Sequence, residues 1–477
     1  MAEIMPHWLT KQADLAPDQT AIELGDGTVY TFLELKEKSQ TFARKLRILG
    51  VHKGSKVGIL SDNHIDMVIA IHALTYLEAV AVMLNTRLTE QELDYQLNDA
   101  GVELVLAQNH DRKLHAKIQS FSEVWKLNEQ PGDLCTEIDL DAMFTIIYTS
   151  GTTGFPKGVV HSYGNHWWSA VGSMLNLGLS KQDKWLAVLP IFHVSGLSIL
   201  LRSVIYGIPV YLLEKYDKQS FHEALMTKGV TIASVVTMMV RDLINQLGDN
   251  RYPETVRCLL LGGGPAPESL LEEAKARQMP VFQSYGMTET SSQIVTLSPV
   301  KALEKIGSSG KPLFPAQLKI NAPDGQVGEI YVKGPMVTKG YFNNEQATNK
   351  ALIDGWLATG DLGYTDREGF LYVVDRRKDL IISGGENIYP TEVENVLSSM
   401  EGVQEVGVVG KADDKWGQVP VAFAVTEHPN VSTDDILAFA KKHLAGYKVP
   451  KDIYFLDRLP RNASNKLVRS KLQDFLS

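Results

Sequence analysis

The sequence predicts an α/β protein with a large N-terminal domain of layered α/β subdomains plus a small β subdomain, and a small α+β C-terminal domain. Three observations predict it. Apolar, β-branched runs alternate with helical patterns through residues 9–140, as parallel α/β layers require. A Gly- and Pro-punctuated β pattern surrounds Gly328-Glu-Ile-Tyr-Val-Lys-Gly334. A charged break, Val374-Asp-Arg-Arg-Lys-Asp379, separates two strand-like runs, so we expect domains at 1–374 and 375–477. A length of 477 residues also exceeds what one hydrophobic core usually serves.

In chain order, Thr31 is placed to cap a helix, with Glu34 three residues on as in a capping box. Val57-Gly-Ile-Leu60 and Val102-Glu-Leu-Val-Leu106 read as buried strands, with a helix over Met67 to Leu77 between them. Met143-Phe-Thr-Ile-Ile147 is a further buried strand. It runs into Tyr148-Thr-Ser-Gly-Thr-Thr-Gly-Phe-Pro-Lys-Gly158. Glycines leave backbone N–H groups uncovered there, hydroxyls add donors and Lys157 adds positive charge, so the loop can wrap an anion. A bare Gly-rich turn would not need this set of side chains. A Walker loop would need Gly-Lys-Ser/Thr, whereas Pro156 precedes Lys157 and Gly158 follows it. Val159-Val160 follows, then a polar break at His161 to Asn165. The spacing of Trp167, Val171, Met174 and Leu175 then predicts the buried face of a helix.

Trp185 to Ile191 is an apolar strand broken at Pro190, delivering His193 and Ser195 at its carboxyl end, where open α/β sheets bind ligands. Arg202 lies on the next helical run, to reach an acidic substrate or to face solvent. Leu259-Leu-Leu-Gly-Gly-Gly-Pro265 is a strand running into glycines that let a flat ring approach the backbone. Val281 to Glu289 ends in Tyr285-Gly-Met-Thr-Glu289, which closes on a carboxylate. Gly355-Trp-Leu-Ala-Thr-Gly-Asp361 presents another carboxylate after a turn.

Tyr148 to Gly158 and Tyr285 to Glu289 together resemble signatures of the adenylate-forming superfamily: acyl-CoA synthetases, luciferases and peptide-synthetase adenylation domains. The match is complete at every signature position of the first motif and extends in order to Lys466. The resemblance implies a ligase using ATP, Mg²⁺ and CoA on a small-molecule carboxylate. It implies ATP contacts from Thr149, Ser150, Gly151, Thr152, Thr153, Gly154, Lys157, Gly263, Gly264, Ser284, Tyr285, Gly286, Asp361 and Arg376. Glu289 and Thr149 would hold the metal, Thr288 would contact phosphate, and Tyr285 would stack on adenine. The C-terminal domain would be mobile, with its hinge at Lys378. Ser383, Gly384, Gly385 and Glu386 would line the CoA channel. Lys466 would neutralise charge as carboxylate and α-phosphate meet.

Asn165-His-Trp-Trp, Phe192 to Ser198, Leu261 to Pro267, Ser291 to Thr296 and Arg461 to Lys466 look closely like the branch of the superfamily that activates 2-succinylbenzoate for menaquinone biosynthesis. An aromatic dicarboxylate needs a flat apolar slot plus donors for the carboxylate that does not react. His193, Ser195, Ser198, Arg202, Ser292 and Gln293 could supply donors, and Leu197 could wall the slot; His193 would also take part in catalysis. The alternatives are a fatty or aromatic acyl-CoA ligase, a stand-alone adenylation domain loading a carrier protein, and a luciferase-like oxygenase or nucleotide sensor.

A formal net charge of −9 without a long basic run argues against nucleic acid and anionic membrane as partners. No apolar stretch of about 20 residues is present to insert in a bilayer, and Met1 to Trp8 does not read as a signal peptide. Cys135 and Cys258 are too few for a disulfide framework, which fits a reducing cytoplasm. The superfamily also admits a homo-oligomer.

Overall fold

The computed structural model describes residues 3–149, 156–248, 250–264, 266–302, 304–376, 379–383, 386–413, 416–426, 431–444, 446–462 and 466–476. The chain is α/β, as the alternation predicts. Among these residues a six-stranded sheet runs in the order Lys157–Ser162, Met143–Thr149, Val80–Leu84, Lys56–Leu60, Leu104–Ala107, Lys117–Ser120. Its strands are parallel except the first, which returns antiparallel to Met143–Thr149. Val80–Leu84 is buried at every position, as a central parallel strand covered on both faces must be. Helix Ile65–Tyr76 lies between two of these strands in sequence, and Thr31 and Glu34 form the expected capping box.

A nine-stranded sheet carries the second layer. Val281–Met287, Cys258–Leu261, Ile232–Val235, Trp185–Ala187, Val210–Leu212 and Thr20–Leu24 run parallel at its centre, with antiparallel strands on both flanks. A smaller antiparallel sheet follows, built on Gly328–Lys333, Trp356–Thr365 and Leu371–Arg376. Ile381–Ser383, Glu386–Ile388, Val403–Asp413, Gly417–Thr426 and Ile453–Phe455 make a separate sheet, covered by helices Pro390–Ser398 and Thr433–His443. None of the described helices is long and apolar enough to cross a membrane.

Two local expectations fail, for one reason. The polar run from His161 does not break the structure: strand Lys157–Ser162 continues through it, and Ser162 caps helix Tyr163–Leu177 in a box with Asn165. That helix also buries a different face. Tyr163, His166, Ser169, Ala170, Ser173 and Leu177 point inward, while Leu175 is 56% exposed. Polar residues occupy the inner face because each finds a buried partner, so apolar periodicity misidentified it.

Phe144 anchors the strand that leads into Tyr148 to Gly158. It is fully buried and stacks on Tyr163 with ring centroids 4.5 Å apart. Phe144→Ala is expected to cost about 3–5 kcal/mol, read as a lower urea midpoint of the transition that unfolds the six-stranded sheet.

Candidate active site

Thr149 and Lys157 face each other as the last and first residues of paired antiparallel strands. The loop between them contains Ser150, Gly151, Thr152, Thr153 and Gly154, which lie outside the described residues. The strand after the loop is stitched to its surroundings at successive positions. Phe342 N donates to Gly158 O at 2.7 Å, Val160 N donates to Gly340 O at 3.1 Å, and Thr338 Oγ1 donates to Val160 O at 2.5 Å.

His161, one residue on, reaches the Tyr285 to Glu289 motif. Its Nε2–H must donate to the Thr288 carbonyl at 2.7 Å, so its Nδ1 accepts from Thr145 Oγ1 at 3.1 Å. Thr145 then accepts from His166 Nε2–H at 3.0 Å, which leaves His166 Nδ1 unprotonated, buried and without a partner. Desolvation holds both histidines neutral: His161 is lowered to about 4 and His166 well below its ordinary value. Sequence reasoning missed this chain, since His161 and Thr145 look like ordinary polar punctuation.

Glu289 is 8% exposed and accepts from Tyr341 Oη at 2.9 Å. Thr338 N donates to its carbonyl at 2.8 Å. Tyr285 and Asp361 are brought together by a 2.8 Å hydrogen bond from phenol to carboxylate, and Arg376 stands opposite Asp361 in the strand ladder. The Arg376 side chain and Lys378 lie outside the described residues. Ser284 Oγ donates to Leu261 O at 2.9 Å, which ties the motif strand to the strand entering Gly263 and Gly264. At Gly286 a β-carbon would collide with the Ser292 carbonyl, so glycine there serves the close approach of two strands.

The strap from Ser291 to Gln293 is strained. Ser291 has φ +57° and Ser292 φ +148°, a conformation that favours glycine. Three hydrogen bonds hold it: Ser291 Oγ to Met336 O at 2.9 Å, Thr290 Oγ1 to Ser292 O at 2.7 Å, and Ser169 Oγ to Ser291 O at 3.3 Å. The result turns Ser292 and Gln293 toward helix Val194–Tyr206. Arg202 Nη2 donates to Gln293 Oε1 at 3.0 Å, and Ser292 Oγ donates to the same oxygen at 2.6 Å. Gln293 Nε2 donates to Ser173 Oγ at 2.9 Å, while the Ser198 and Ser292 hydroxyls stand 3.5 Å apart.

Arg202 neither faces solvent nor stands at an open surface. It is 2% exposed, packs over the Trp185 ring at 5.3 Å, and its Nε has no hydrogen-bond partner among the described residues. Among the described residues no carboxylate lies within ion-pair distance of it. A buried cation without a counter-ion is costly unless an anion draws near. Ser292 is the partly exposed end of this network, and Ser195 and His193, at the start of the same helix as Arg202, are also partly exposed. Leu197, expected to wall the slot, is fully buried in the main core cluster.

His193 caps the same helix and meets the Phe192 ring edge-on at 4.7 Å. Burial first, then the charges of Lys466 and Arg87, lower it to about 4. Lys466, in the C-terminal part of the chain, thus bears electrostatically on this site. Arg87, in the loop after Val80–Leu84, is a second cation that the motif reading did not single out. Ser383 and Glu386 pair across a hairpin whose turn residues, Gly384 and Gly385, lie outside the described residues.

Residues 9–342 match the AMP-binding enzyme family, and residues 392–466 match the AMP-binding enzyme C-terminal domain. The chain belongs to the AMP-binding enzyme family. Within that family, the 2-succinylbenzoate–CoA ligase of Oceanobacillus iheyensis is 55% identical over 99% of this chain and 100% of its own. The o-succinylbenzoate CoA synthetase of Bacillus subtilis, solved with its acyl-adenylate intermediate OSB-AMP, is 47% identical and superposes with TM-score 0.95 over 99% of both chains. The same enzyme solved with ATP and magnesium ion is also 47% identical, with TM-score 0.94 over 99% of this chain and 100% of that one.

The donors suit magnesium in a particular way. Among the described residues no group of three or more His, Cys, Asp or Glu side chains could close a metal cage. One oriented carboxylate, such as Glu289 held by Tyr341, suits a Mg²⁺ ion that takes its other oxygens from a nucleotide and water.

The neutral histidines set a pH dependence. His7, His72, His161 and His193 are lowered from 6.5 to about 3, 4, 4 and 4, each mainly by burial. The unfolded chain thus binds protons first as pH falls, so stability drops from pH 6.5 toward pH 4. Urea midpoints measured across that window should fall steadily; a flat profile would contradict the neutral assignment.

Proposed function

We propose that this chain activates 2-succinylbenzoate with ATP as an acyl-adenylate and transfers the acyl group to CoA, as an AMP-forming acid–thiol ligase of menaquinone biosynthesis. The observation that carries the substrate reading is the uncompensated Arg202 cation behind Ser292 and Gln293. In a low-dielectric interior its charge is felt strongly through that short polar chain. A second carboxylate on the substrate, lodged at Ser292, Ser195 and His193, supplies the missing negative charge. A plain fatty acid would leave it uncompensated.

In the first step a carboxylate oxygen attacks the ATP α-phosphorus, the bond to the β-phosphate oxygen breaks, and pyrophosphate leaves. In the second the CoA sulfur attacks the acyl carbon, the acyl–phosphate C–O bond breaks, and AMP leaves with release of the thiol proton. Magnesium, when bound, neutralises phosphate charge. Glu289 would hold it with Thr149, and Thr288 would contact phosphate. Lys157 and its loop would grip the β- and γ-phosphates. Gly263, Gly264, Ser284 and Gly286 would shape the adenine site, with the Tyr285 ring against the base. Asp361 and Arg376 would hold the ribose. Lys466 brings positive charge to the meeting of carboxylate and α-phosphate, where positioning and charge neutralisation carry the chemistry. A neutral His193 beside it can donate or accept one hydrogen bond without adding charge.

In this reading residues 1–374 are the adenylation core and 375–477 a domain that turns about Lys378. The turn withdraws Lys466 and presents Ser383 to Glu386 for the CoA step. The cytoplasm is the proposed setting, consistent with two free cysteines.

Pyrophosphate release with CoA and a carboxylate panel tests the substrate. 2-Succinylbenzoate should be strongly preferred over benzoate and octanoate, and the preference should vanish when its second carboxylate is removed. Arg202→Met should raise the succinylbenzoate KM about tenfold or more with the ATP KM unchanged; preference for octanoate would overturn the substrate. Lys466→Ala should abolish adenylate formation yet spare thioester formation from supplied acyl-adenylate, and equal loss of both steps would refute the domain rotation.

A further inference from the structure

The Tyr341 side chain stands between two groups of opposite charge. Its hydroxyl donates to Glu289 Oε1 at 2.9 Å, while Lys157 Nζ lies 5.2 Å from its ring centroid, over the ring face. The backbone around it is pinned on both sides. Val159 and Tyr341 form an isolated bridge, Tyr341 N donates to Thr348 Oγ1 at 2.9 Å, and Thr338 N donates to Glu289 O at 2.8 Å. A β-carbon on neighbouring Gly340, at φ +140°, would press into the Thr348 side chain, so the strap has little room to shift.

We propose that Tyr341 is a positioning residue for magnesium–nucleotide binding, its hydroxyl aiming the Glu289 carboxylate and its ring keeping Lys157 apart from Glu289. The proposal rests on the reading of Glu289 as the metal-binding carboxylate. The donated hydrogen bond fixes the rotation of the carboxylate about its last torsion, so a metal ion meets an oriented oxygen instead of a freely turning one. The ring offers the ammonium an electrostatic seat that a phosphate can take over. Without the ring, Lys157 and Glu289 would be drawn into direct contact, and a nucleotide would have to separate them before binding.

ATP binding to the intact protein, measured by titration calorimetry with and without Mg²⁺, tests this apart from turnover. Tyr341→Phe keeps the ring and removes the hydroxyl. It should lose about 10- to 100-fold of the magnesium-dependent gain in ATP affinity, with magnesium-free ATP affinity unchanged. Tyr341→Leu removes both and should weaken magnesium-free binding as well. Glu289→Gln, measured in parallel, separates the two layers of the argument. If Glu289→Gln loses the magnesium-dependent gain and Tyr341→Phe keeps it, the positioning role is overturned. If Glu289→Gln keeps the gain, the metal reading itself fails. Equal loss of both affinities in Tyr341→Phe would also overturn the proposal, because general disorder would explain it.

Discussion

The strand Lys157–Ser162 is the seam on which this molecule is assembled. It closes the six-stranded sheet against Met143–Thr149, receives the Gly340 to Phe342 segment along its other edge, and sends His161 to the Thr288 carbonyl at the rim of the nine-stranded sheet. Each of these contacts satisfies backbone or buried polar groups that would otherwise be costly. Because the same strand begins at Lys157, the contacts that join the layers also bring Lys157 and Glu289 to the same side chain, Tyr341. Architecture and site are therefore one hydrogen-bond system.

That system keeps its charge unbalanced. The chain has a formal net charge of −9, yet among the described residues no carboxylate pairs with the buried Arg202, and Lys466 and Arg87 bear on a neutral His193. A local excess of positive charge in an acidic protein favours anions at that place. The strained Ser291–Ser292 backbone belongs to the same arrangement, since it turns Ser292 and Gln293 onto the Arg202 guanidinium. Arg202 meets that turn through its hydrogen bond to Gln293.

Where sequence reading went astray, polar residues were doing what apolar ones usually do. Helix Tyr163–Leu177 buries His166, Ser169 and Ser173 and exposes Leu175, so periodicity pointed to the wrong face. His161 was read as a break but continues a strand. In each case the deciding interaction joins residues far apart in the chain, such as Thr145 to His166, Arg202 to Gln293 and Asn165 to Val337.

The sequence by itself determined the α/β class and the capping of one early helix, and its motifs implied the reaction class through their resemblance to a family. Those features rest on contiguous residues: hydrophobic alternation, a Thr–Glu capping pair, and signatures such as Tyr148 to Gly158. Tertiary structure decided which side chains act together. Glu289 acquired Tyr341, Tyr285 acquired Asp361, and His193 came under the charge of Lys466. The physical reason is that burial and hydrogen-bond pairing depend on which elements meet in space, and local spacing holds no information about a partner in a distant element.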